Sequence, residues 1–399
     1  MTGAITILAW LVVALPMLLL VVYTLEVVAG LRPTTRSGDA GILPHTVVLI
    51  PAHDEAAGIA ATITALRAVT DPAIALLVVA DNCTDDTAVQ ARAAGAEVIE
   101  RNDPIRRGKG YALAFGRDHL AASPPECVVV LDADCTVEGA GIAALARAAM
   151  AASCAVQACY LQHPDLTASP KAQISSFAFL VKNLVRQRGM MRMGGVAAMT
   201  GTGMAIPWSL LAAAPLASAD LAEDMALGVW LTRNGHPPRF LESARVWSDA
   251  ASGRALMVQR DRWERGFMTI ARQKALPLIA HGITGASRSL TWLGLHLLVP
   301  PLALLFVIAG AALVAALLLA LVGASLFAPG LLAAALLVAG IATMSAWSRA
   351  GREQISGAAL LRTPLYIAAK LPLYRTMLGR GGHQGWVRTE RAGKGDAPH

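Results

Sequence analysis

Two aspartates, Asp132 and Asp134, follow the aliphatic run VVVL of residues 128–131. Such a run is typical of a buried strand, and a strand that ends in acids presents them at the edge of its sheet. Carboxylates two residues apart can direct one oxygen to a divalent cation and another to a ligand bound beside it. Because Mg²⁺ and Mn²⁺ prefer oxygen ligands and keep positions open for phosphates, the pair predicts a cation site for a diphosphate substrate.

Two earlier apolar runs also end in acids. Asp54 and Glu55 follow LIPA, while Asp81 and Asp85 follow VVA, with Asp85 interpreted as the N-cap of the next helix. Three acidic strand ends at one edge would repel one another unless a cation or ligand donors lay between them. The D-x-D spacing alone is a weak signal, because acids are common in turns, but its position after two acidic strand ends strengthens the prediction.

A further pair of acids, Glu223 and Asp224, opens the helix-like segment EDMALGVWL. A carboxylate can take the proton from an attacking hydroxyl, which is the task of a general base in group transfer. Acids also favour the positive end of a helix dipole. The residues alone support both interpretations equally.

Two loops have the composition of ligand-binding segments. Lys109 lies in RRGKG, where it can face an anionic ligand or be a solvated loop cation beside two arginines. In MTGTGMAIP, Gly201 and Gly203 flank Thr202, and glycine permits positive φ or a close backbone approach. That segment is either the wall of a binding site or a tight turn between strands.

The segment QRDRW spaces Gln259, Arg262 and Trp263 so that one helical turn brings them to one face. An indole face can pack against a ring, and a fixed guanidinium can bind an anionic group. Taken alone, the segment also suits an amphipathic helix beside a membrane.

These residues need a scaffold that gathers strand ends, and the first half of residues 46–287 alternates apolar runs with helix-like stretches. The segments are TVVLIPA, GIAATITALRAV, IALLVVADN, TAVQARAAG, AEVIER, KGYALAFGRDHL and CVVVLDAD. Unbroken Val/Leu/Ile runs predict an α/β fold, with a largely parallel sheet that has helices on both faces. Ligands of such sheets bind beyond the carboxyl ends of the strands, where the acids lie.

Three segments are long and apolar enough to span a membrane: residues 5–29, 300–323 and 330–347. Mean hydropathy of +0.52 and 55% hydrophobic residues agree with membrane spans. No basic residue precedes the first segment, which favours a retained anchor over a signal peptide. The stretches after residue 265 and at 357–378 are expected to lie in the membrane interface, with a further crossing at 357–378 as the alternative.

Basic residues flank these spans on one side only: Arg32, Arg36, Arg288, Arg349, Arg352, Arg362, Lys370, Arg375 and Arg380. The positive-inside rule then predicts a multi-pass inner (cell) membrane protein with a cytoplasmic middle domain. A net charge of +7 suits contact with anionic membrane lipids. No basic run of five residues occurs, which argues against a nucleic-acid partner. Five scattered cysteines are expected to be free thiols.

Seven motifs occur in the order found in family 2 glycosyltransferases of the membrane-integrated type, the group of cellulose, hyaluronan and chitin synthases. They are PAHDE, DNCTDDT, RRGKGYAL, LDADCT, TGTGMA, AEDMALG and QRDRW. The resemblance covers residues 46–270 and implies a GT-A fold, that is, a nucleotide-binding, largely parallel α/β sheet with an acceptor-binding second half. It divides the chain into an anchor (1–30), a cytoplasmic GT-A domain (46–287), an interfacial helix with a transmembrane hairpin (288–348) and a cytoplasmic or interfacial tail (349–399).

The resemblance also implies residue roles. Asp134 would be the main metal ligand, Asp224 the catalytic base and Asp132 a ligand of the ribose or the metal. Ala222 stands where the family often has threonine or serine, which puts a supporting hydrogen bond in question. The other residues implied in nucleotide-sugar binding are Asp81, Lys109, Arg262 and, as alternatives for one contact, Asp54 or Glu55. Those implied in acceptor binding are Gly201, Thr202, Gly203, Glu223, Gln259 and Trp263.

Together these features predict an inverting transferase that uses Mg²⁺ or Mn²⁺ and a nucleotide sugar, expected to be a UDP-sugar. It would build a cell-surface or exported glycan at the cytoplasmic face. Three spans are fewer than the large synthases have, so an export subunit or a homo-oligomer would complete a channel. The alternatives are non-processive glycosylation of a lipid, such as a polyprenyl phosphate or a ceramide-like lipid, and an inactive membrane scaffold. A dehydrogenase is disfavoured because PAHDEAAG lacks G-x-G-x-x-G.

Overall fold

The computed structural model describes residues 2–34, 41–218, 222–250 and 253–369, with the backbone alone at residues 2, 253–262, 368 and 369. Eight strands form one mixed sheet in the order β3-β2-β1-β4-β7-β6-β8-β5. The strands are β1 (Thr46–Ala52), β2 (Ala75–Asp81), β3 (Glu97–Arg101), β4 (Cys127–Val130), β5 (Cys135–Val137), β6 (Val156–Gln162), β7 (Met204–Pro207) and β8 (Arg239–Ser248).

Helices cover both faces of this sheet and form the segments that flank it. They are α1 (Thr2–Gly30), α2 (Ile59–Val69), α3 (Thr87–Ala93), α4 (Lys109–Leu120), α5 (Gly141–Ala152), α6 (Pro170–Leu180), α7 (Gln187–Gly194), α8 (Trp208–Ala213), α9 (Glu223–Arg233), α10 (Gly253–Thr284), α11 (Arg288–Leu298), α12 (Leu302–Leu321), α13 (Phe327–Ala346), α14 (Gly357–Leu361) and α15 (Thr363–Ala369). Two π-helical segments, Val181–Arg186 and Trp347–Gly351, follow α6 and α13.

The first four strands form the parallel half of the sheet. Strand β1 pairs in parallel with β2 and β4, and β2 pairs in parallel with β3. Val48 and Ile50 pack on one face, with α2 and α5, while Val47 and Leu49 pack on the other, with α4. Because both faces are covered, residues that point to one face of the sheet are buried as deeply as those that point to the other. This explains the unbroken aliphatic runs and confirms the predicted α/β fold.

The remaining strands make the sheet mixed. Strand β7 is antiparallel to β4 and to β6, β8 is parallel to β6, and β5 is antiparallel to β8. Through these pairings the MTGTGMA segment lies beside the end of β4. The prediction of a largely parallel sheet therefore holds for the first half, and the second half adds antiparallel strands beside it.

In the part of the chain that the structure describes, three helices are long and apolar enough to cross a membrane: Gly3–Gly30, Leu302–Leu321 and Phe327–Gly351. They coincide with the three spans expected from the sequence. Leu11, Leu321 and Leu337 on these helices are at least 65% exposed, which is the apolar outer surface that lipid would cover. The assignment of these helices to a membrane, and the division of the chain into four parts, stay predictions.

Helix α1 packs directly against the helix that runs from α6 through the π-helical segment to α7. At their contact, an added Cβ on Gly30 would lie 1.8 Å from the carbonyl oxygen of Val185, and one on Gly189 would lie 2.0 Å from that of Glu26. Glycine at both positions therefore allows the two backbones to touch.

A buried polar cluster lies at this contact. The carboxylate of Glu26, the single acid of α1, is fully buried. It accepts hydrogen bonds from Arg186 Nε at 2.6 Å and from Trp292 Nε1 at 3.2 Å. Nδ1 of His296 lies 3.0 Å from the same carboxylate. The acid thus ties α1 to the π-helical segment and to α11.

Among the five cysteines, Cys127, Cys135, Cys154 and Cys159 are buried and Cys83 is half-buried, and all are free thiols as expected. Helices α14 and α15 cover residues 357–369 of the segment predicted to be interfacial. The rest of that segment and the tail lie outside the described residues.

Candidate active site

A cavity of about 390 Å³ opens at the carboxyl ends of β1, β2 and β4. It gathers nine of the side chains or backbones singled out in the sequence: Glu55, Asp81, Lys109, Asp132, Asp134, Gly201, Glu223, Asp224 and Trp263. Asp54, Thr202 and Gly203 do not line it. The side chains of Gln259 and Arg262 lie outside the described residues, although both positions fall in helix α10 together with Trp263.

The loop after β1 gives different positions to Asp54 and Glu55, the two acids predicted as alternatives for one contact. Asp54 has a φ of +52°, and its carboxylate accepts a hydrogen bond from Thr84 N at 2.6 Å. It therefore holds the loop that follows β2. Glu55 lines the cavity instead, while its own N–H donates to Thr87 Oγ1 at 2.7 Å. This geometry favours Glu55 over Asp54 as a contact for a bound nucleotide.

Asp85, expected to cap α3, accepts a hydrogen bond from Thr87 N at 3.0 Å. The N-cap residue of the helix is its neighbour Asp86, whose side chain makes no capping hydrogen bond. Asp85 also accepts from Ala56 N at 3.0 Å. The residue therefore stabilises the start of α3 and joins it to the loop after β1.

Asp81 is held by a partner that the sequence reasoning missed. Arg101 Nη1 donates to Asp81 Oδ1 at 2.6 Å, and both side chains are only 9% exposed. The same guanidinium donates to Asp103 Oδ2 and to the carbonyl of Arg106. Asp81 and Arg101 are paired residues of β2 and β3. A basic residue at the carboxyl end of the neighbouring strand was the sequence signal that could have identified this partner.

Lys109 joins two parts of the site. Its Nζ forms an ion pair with Asp132 and donates to the carbonyl of Gly201 at 2.7 Å. Burial lowers the pKa of Lys109, but the carboxylates of Asp132, Glu223 and Asp224 outweigh this effect and hold the pKa above its usual range. The ammonium therefore stays charged and compensates the acids around it.

The MTGTGMA segment lies beneath these groups. Gly201 has a φ of +86° and forms part of the cavity wall. Thr202 is fully buried, and its Oγ1 accepts a hydrogen bond from Asp132 N at 3.0 Å. An added Cβ on Gly203 would lie 2.7 Å from Ala158 Cβ. Thr202 and Gly203 thus support the loop of Asp132 from below.

A divalent cation fits the acids after β4. Ligand atoms of Asp132, Asp134 and Cys135 lie within 4.8 Å of one another. Burial, followed by the charges of Asp134 and Asp132, raises the pKa of the Cys135 thiol well above its usual range. The thiol therefore stays protonated, and the usable donors are carboxylate oxygens, which suit Mg²⁺ or Mn²⁺ rather than a thiophilic metal.

The candidate base lies across the cavity from these acids. Glu223 and Asp224 form the first turn of α9, and Glu223 Oε1 lies 4.0 Å from Lys109 Nζ. Burial raises the pKa of Asp224, while the charges of Lys109 and Lys182 oppose the increase. Burial also raises the pKa of Glu223, and the neighbouring charge of Asp224 adds to the effect. Both acids therefore take up protons more readily than ordinary carboxylates.

Trp263 closes one side of the cavity. Its ring lies 5.8 Å from that of Phe179, with 31° between the planes. Phe179 in turn packs edge-on against Tyr160 at 5.0 Å. The indole is thereby fixed by an aromatic row, which leaves it as a rigid surface against which a sugar ring could pack.

The cavity extends further than the sequence motifs indicated. Beyond Trp263 it reaches Tyr23 of α1 and the segment Val299–Leu302 that leads into α12. Lys182, Asn183 and Arg186 of the π-helical segment line this part. The polar residues of KNLVR, directly after the apolar stretch FAFLV, were the available signal.

Comparison with known proteins identifies the class of enzyme. A family model described as "Glycosyltransferase like family 2" matches residues 44–266, which is more than half of the chain. The protein therefore belongs to glycosyltransferase family 2, and the predicted enzyme class is confirmed. As a member of this family it is a nucleotide-sugar-dependent glycosyltransferase.

The relatives found for particular regions are enzymes of sugar transfer. A glucosyl-3-phosphoglycerate synthase from Mycolicibacterium paratuberculosis is 41% identical over 93 residues, or 22% of this chain and 27% of that protein. The enzyme from Mycobacterium tuberculosis is 38% identical over 93 residues, or 22% of this chain and 28% of that protein. The match thus spans about a quarter of the length of these curated relatives.

A similar fold extends over almost the whole chain in one solved structure. A mannosyltransferase from Pyrobaculum calidifontis, in complex with GDP-Man and Mn²⁺, has a TM-score of 0.55 at 19% identity. The likeness covers 93% of this chain and 98% of that chain. It confirms the GT-A fold.

Proposed function

We propose that this protein is an inverting, metal-dependent glycosyltransferase that moves a sugar from a nucleotide sugar to a hydroxyl of a glycan acceptor, with a lipid acceptor as the second candidate. One observation carries the proposal. A single cavity holds the acids after three strands, Lys109 and the Glu223–Asp224 pair, and it continues to the start of a candidate membrane span.

In the proposed reaction, Asp224 is the base. The acceptor oxygen attacks the anomeric carbon from the side opposite the diphosphate, a new carbon–oxygen bond forms, and the bond to the diphosphate breaks. Asp224 takes the hydroxyl proton, and the nucleoside diphosphate leaves with the bonding electrons. Burial raises the pKa of Asp224 above that of an ordinary aspartate, which makes it a stronger base at the moment of attack.

The donor would lie along the strand ends. Glu55 and Asp81 are placed to receive the nucleoside, and the ion pair with Arg101 fixes the Asp81 carboxylate. Asp54 would act indirectly, through its hold on Thr84. Arg262 is proposed as the partner of the diphosphate from its place in QRDRW. A UDP-sugar is the donor expected from the sequence, and GDP-mannose is the donor bound to the P. calidifontis mannosyltransferase.

Asp134, with Asp132, would hold Mg²⁺ or Mn²⁺, and when bound the cation supplies positive charge to the diphosphate as the sugar departs. The P. calidifontis mannosyltransferase binds Mn²⁺. In this chain Lys109 already pairs with Asp132, so the lysine limits the repulsion between the two aspartates.

The acceptor would lie between Gly201 and Trp263, with Gln259 proposed beside the indole from the motif spacing. Glu223 would support Asp224 in the same turn of α9. The product is proposed to be a cell-surface or exported glycan made at the cytoplasmic face of the inner membrane. This places the enzyme in the membrane-integrated group of the family, and polymer export would require a partner subunit or a homo-oligomer.

Transfer of a single sugar to a lipid is the second candidate. The continuation of the cavity to Val299–Leu302, beside the first residue of α12, favours it. An inactive scaffold is the weaker alternative, because it would have no use for a compensated set of acids around one cavity.

The test uses the full-length protein in detergent with Mn²⁺, a panel of UDP-sugars and GDP-mannose. Release of nucleoside diphosphate is expected with at least one donor, and EDTA should abolish it. Asp224→Asn should lower turnover by about 10²- to 10⁴-fold while nucleotide binding persists. Asp134→Ala should abolish Mn²⁺-dependent binding. Asp118→Asn, at a side chain 66% exposed, is the control.

Failure of every donor to bind or turn over would overturn the proposal. Product analysis then separates the acceptors. A long polysaccharide would support the first candidate, and a single-sugar lipid would support the second. Addition of 3-phosphoglycerate to the acceptor panel tests whether this chain shares the product named for its curated relatives.

A further inference from the structure

A second cluster of metal-ligating side chains lies at the ends of β1 and β2. A ring nitrogen of His53, a carboxylate oxygen of Asp54 and the sulfur of Cys83 lie within 4.8 Å of one another. His53 and Asp54 directly follow β1, and Cys83 lies shortly after the end of β2. The cluster therefore joins two loops that are distant in the sequence.

The ring of His53 is oriented by a backbone carbonyl. Its Nδ1 lies 2.7 Å from the carbonyl oxygen of Asp81, and because a carbonyl oxygen only accepts, Nδ1 carries the proton. In the neutral ring the lone pair then lies on Nε2, which is 3.7 Å from Oδ2 of Asp54. Histidines that bind metals usually donate their other ring nitrogen to a carbonyl or a carboxylate in this way. The hydrogen bond thus selects the tautomer that a metal site needs.

The other two donors are also held by hydrogen bonds. Asp54 Oδ1 accepts from Thr84 N at 2.6 Å, and Thr84 Oγ1 lies 3.2 Å from both carboxylate oxygens, so donation to Oδ1 leaves Oδ2 for an ion. Burial raises the pKa of the Cys83 thiol, and the hydrogen bond that Sγ accepts from Asp54 N at 3.4 Å opposes the rise. Binding of a metal ion must therefore displace the thiol proton.

The spacing of the cluster fits a tetrahedral ion. Bonds of about 2.0–2.3 Å to nitrogen, oxygen and sulfur place the ligand atoms of Zn²⁺ about 3.3–3.8 Å apart. The 3.7 Å between His53 Nε2 and Asp54 Oδ2 lies in this range, and a side-chain movement of about 1 Å brings the Cys83 sulfur into it. His53 lines the cavity and its side chain is 15% exposed, so an ion can reach the cluster from there.

The mixture of donors selects the kind of metal. Imidazole and thiolate are good ligands of Zn²⁺, whereas Mg²⁺ and Mn²⁺ prefer oxygen. The cluster after β4 offers the carboxylates of Asp132 and Asp134 beside a thiol, Cys135, that stays protonated. The two clusters therefore differ in the ions that they favour.

We propose that His53 Nε2, Asp54 Oδ2 and Cys83 Sγ bind a Zn²⁺ ion, which joins the loops after β1 and β2. Three bonds to the metal form, and the thiol proton passes to solvent. The charges of the carboxylate and the thiolate balance those of the ion. The ion stabilises the edge of the cavity at the ends of these strands, and it is separate from the cation of the transfer reaction.

The first experiment uses Co²⁺ as a spectroscopic probe of the site. The full-length protein is stripped of metals in detergent and kept in excess Mg²⁺, which competes for the carboxylates after β4. Co²⁺ should then produce a sulfur-to-cobalt charge-transfer band in the near ultraviolet, and Zn²⁺ should remove the band by displacement. Absence of the band, or a band that Zn²⁺ does not remove, would overturn the proposal.

Variants identify the ligands. Cys83→Ala should abolish the band, and His53→Gln should weaken Zn²⁺ binding at least about tenfold, because loss of even an outer partner of a ligand costs about 10–100-fold in metal affinity. The matched controls, which should keep the band, are Cys135→Ala at the other cluster and His119→Gln at an exposed histidine beside Glu97. A band that persists in Cys83→Ala and disappears in Cys135→Ala would place the thiolate ligand after β4 and contradict the proposal.

Alkylation of the unaltered protein tests the same ligand without a variant. Cys83 is half-buried and the other four cysteines are buried, so Cys83 should react first with iodoacetamide. Zn²⁺ should protect it and Mg²⁺ should not, as measured by mass spectrometry of the peptide that contains Cys83. Equal alkylation with and without Zn²⁺ would show that Cys83 is not a ligand.

Thermal unfolding measures the structural effect of the ion. Zn²⁺ should raise the midpoint of the unaltered protein but not that of Cys83→Ala, because a ligand that binds only the folded state stabilises it. An equal rise in both proteins would place the bound Zn²⁺ elsewhere and contradict the proposal. No nucleotide sugar is present in these experiments, so their outcome does not depend on whether the proposed transfer reaction is correct.

Discussion

Lys109 is the residue through which the candidate metal ligands and the candidate base share one electrostatic environment. Its ammonium pairs with Asp132, donates to the Gly201 carbonyl and lies 4.0 Å from Glu223. One partly buried cation thus faces several carboxylates, and their protonation is coupled. A change in any of these charges should therefore appear in the pH dependence of the reaction.

Glu223→Gln tests this coupling. If Asp224 is the base, it acts only when it is deprotonated, so activity should rise with pH through its pKa, which burial raises above that of an ordinary aspartate. Removal of the negative charge at Glu223 favours ionisation of Asp224, so the acidic limb of the profile should move to lower pH. The measurement is kcat/KM against pH for both proteins. A shift to higher pH would contradict the assignment.

Arg101→Ala tests the partner of Asp81. Both side chains are 9% exposed, so removal of the guanidinium leaves a buried carboxylate uncompensated, at a cost of about 3–5 kcal/mol in free energy of unfolding. We expect a lower thermal midpoint and a nucleotide Kd raised at least about tenfold, measured by thermal unfolding and calorimetry.

The matched control is Arg92→Ala, which breaks an ion pair with Glu100 whose side chains are 49% and 51% exposed. An exposed pair contributes at most about 1 kcal/mol, so stability and nucleotide binding should hardly change. Similar losses in the two variants would show that the Asp81 pair has no special role in the donor site.

At the scale of elements, the strands and helices of residues 46–130 follow from local patterns. Strand β1 and helix α4 have the bounds that their aliphatic and amphipathic runs indicate. Strand β7 has four residues and β5 has three, too few for a pattern, and their antiparallel partners are set by distant pairing. The grouping of the acids after these strands could also be predicted from the sequence, because topology alone brings the carboxyl ends of β1, β2 and β4 together.

The part of the cavity that the π-helical segment lines could not be predicted from local sequence patterns. Lys182, Asn183 and Arg186 become a wall only because the helix that carries them packs against α1, which is distant in the sequence. No local sequence pattern predicts that contact. The close approach of the two helices at Gly30 and Gly189 is evident only from the packed structure.

Gly189→Ala tests the packing of these elements. The added Cβ would lie 2.0 Å from the carbonyl oxygen of Glu26, so α1 and α7 would have to separate. We expect a loss of about 1–3 kcal/mol in stability and a drop in turnover, because the π-helical wall moves with α7. Thermal unfolding in detergent and nucleoside diphosphate release are the measurements.

Gly310→Ala provides the comparison within a candidate span. An added Cβ there meets nothing within 4 Å, and alanine is favoured over glycine in a helix by about 1 kcal/mol. This variant should be as stable as the unaltered protein or more so. Destabilisation of both variants by the same amount would mean that glycine is needed for some reason other than the helix contact.

At the scale of the whole molecule, the three apolar helices and the catalytic domain form one packed body. Helices α1, α12 and α13 share a hydrophobic core with α6 and the π-helical segment. If the helices span the membrane, their ends at Gly30 and Leu302 lie on the side of the catalytic domain, and the loop at Ser325 lies on the other side. The hydrogen bond of Ser325 N with Thr6 Oγ1, at 3.3 Å, places the start of α1 beside that loop.

Cysteine labelling tests this orientation. Ser325→Cys should react with a membrane-impermeant maleimide in intact cells, because the positive-inside rule puts the uncharged loop outside. Ser123→Cys, in the exposed turn after α4, should react only after the cells are opened. Background from native thiols should be low, since four cysteines are buried and Cys83 is half-buried. Labelling of Ser123→Cys alone in intact cells would reverse the orientation and place nucleotide-sugar binding outside, where the proposed cytoplasmic reaction could not occur.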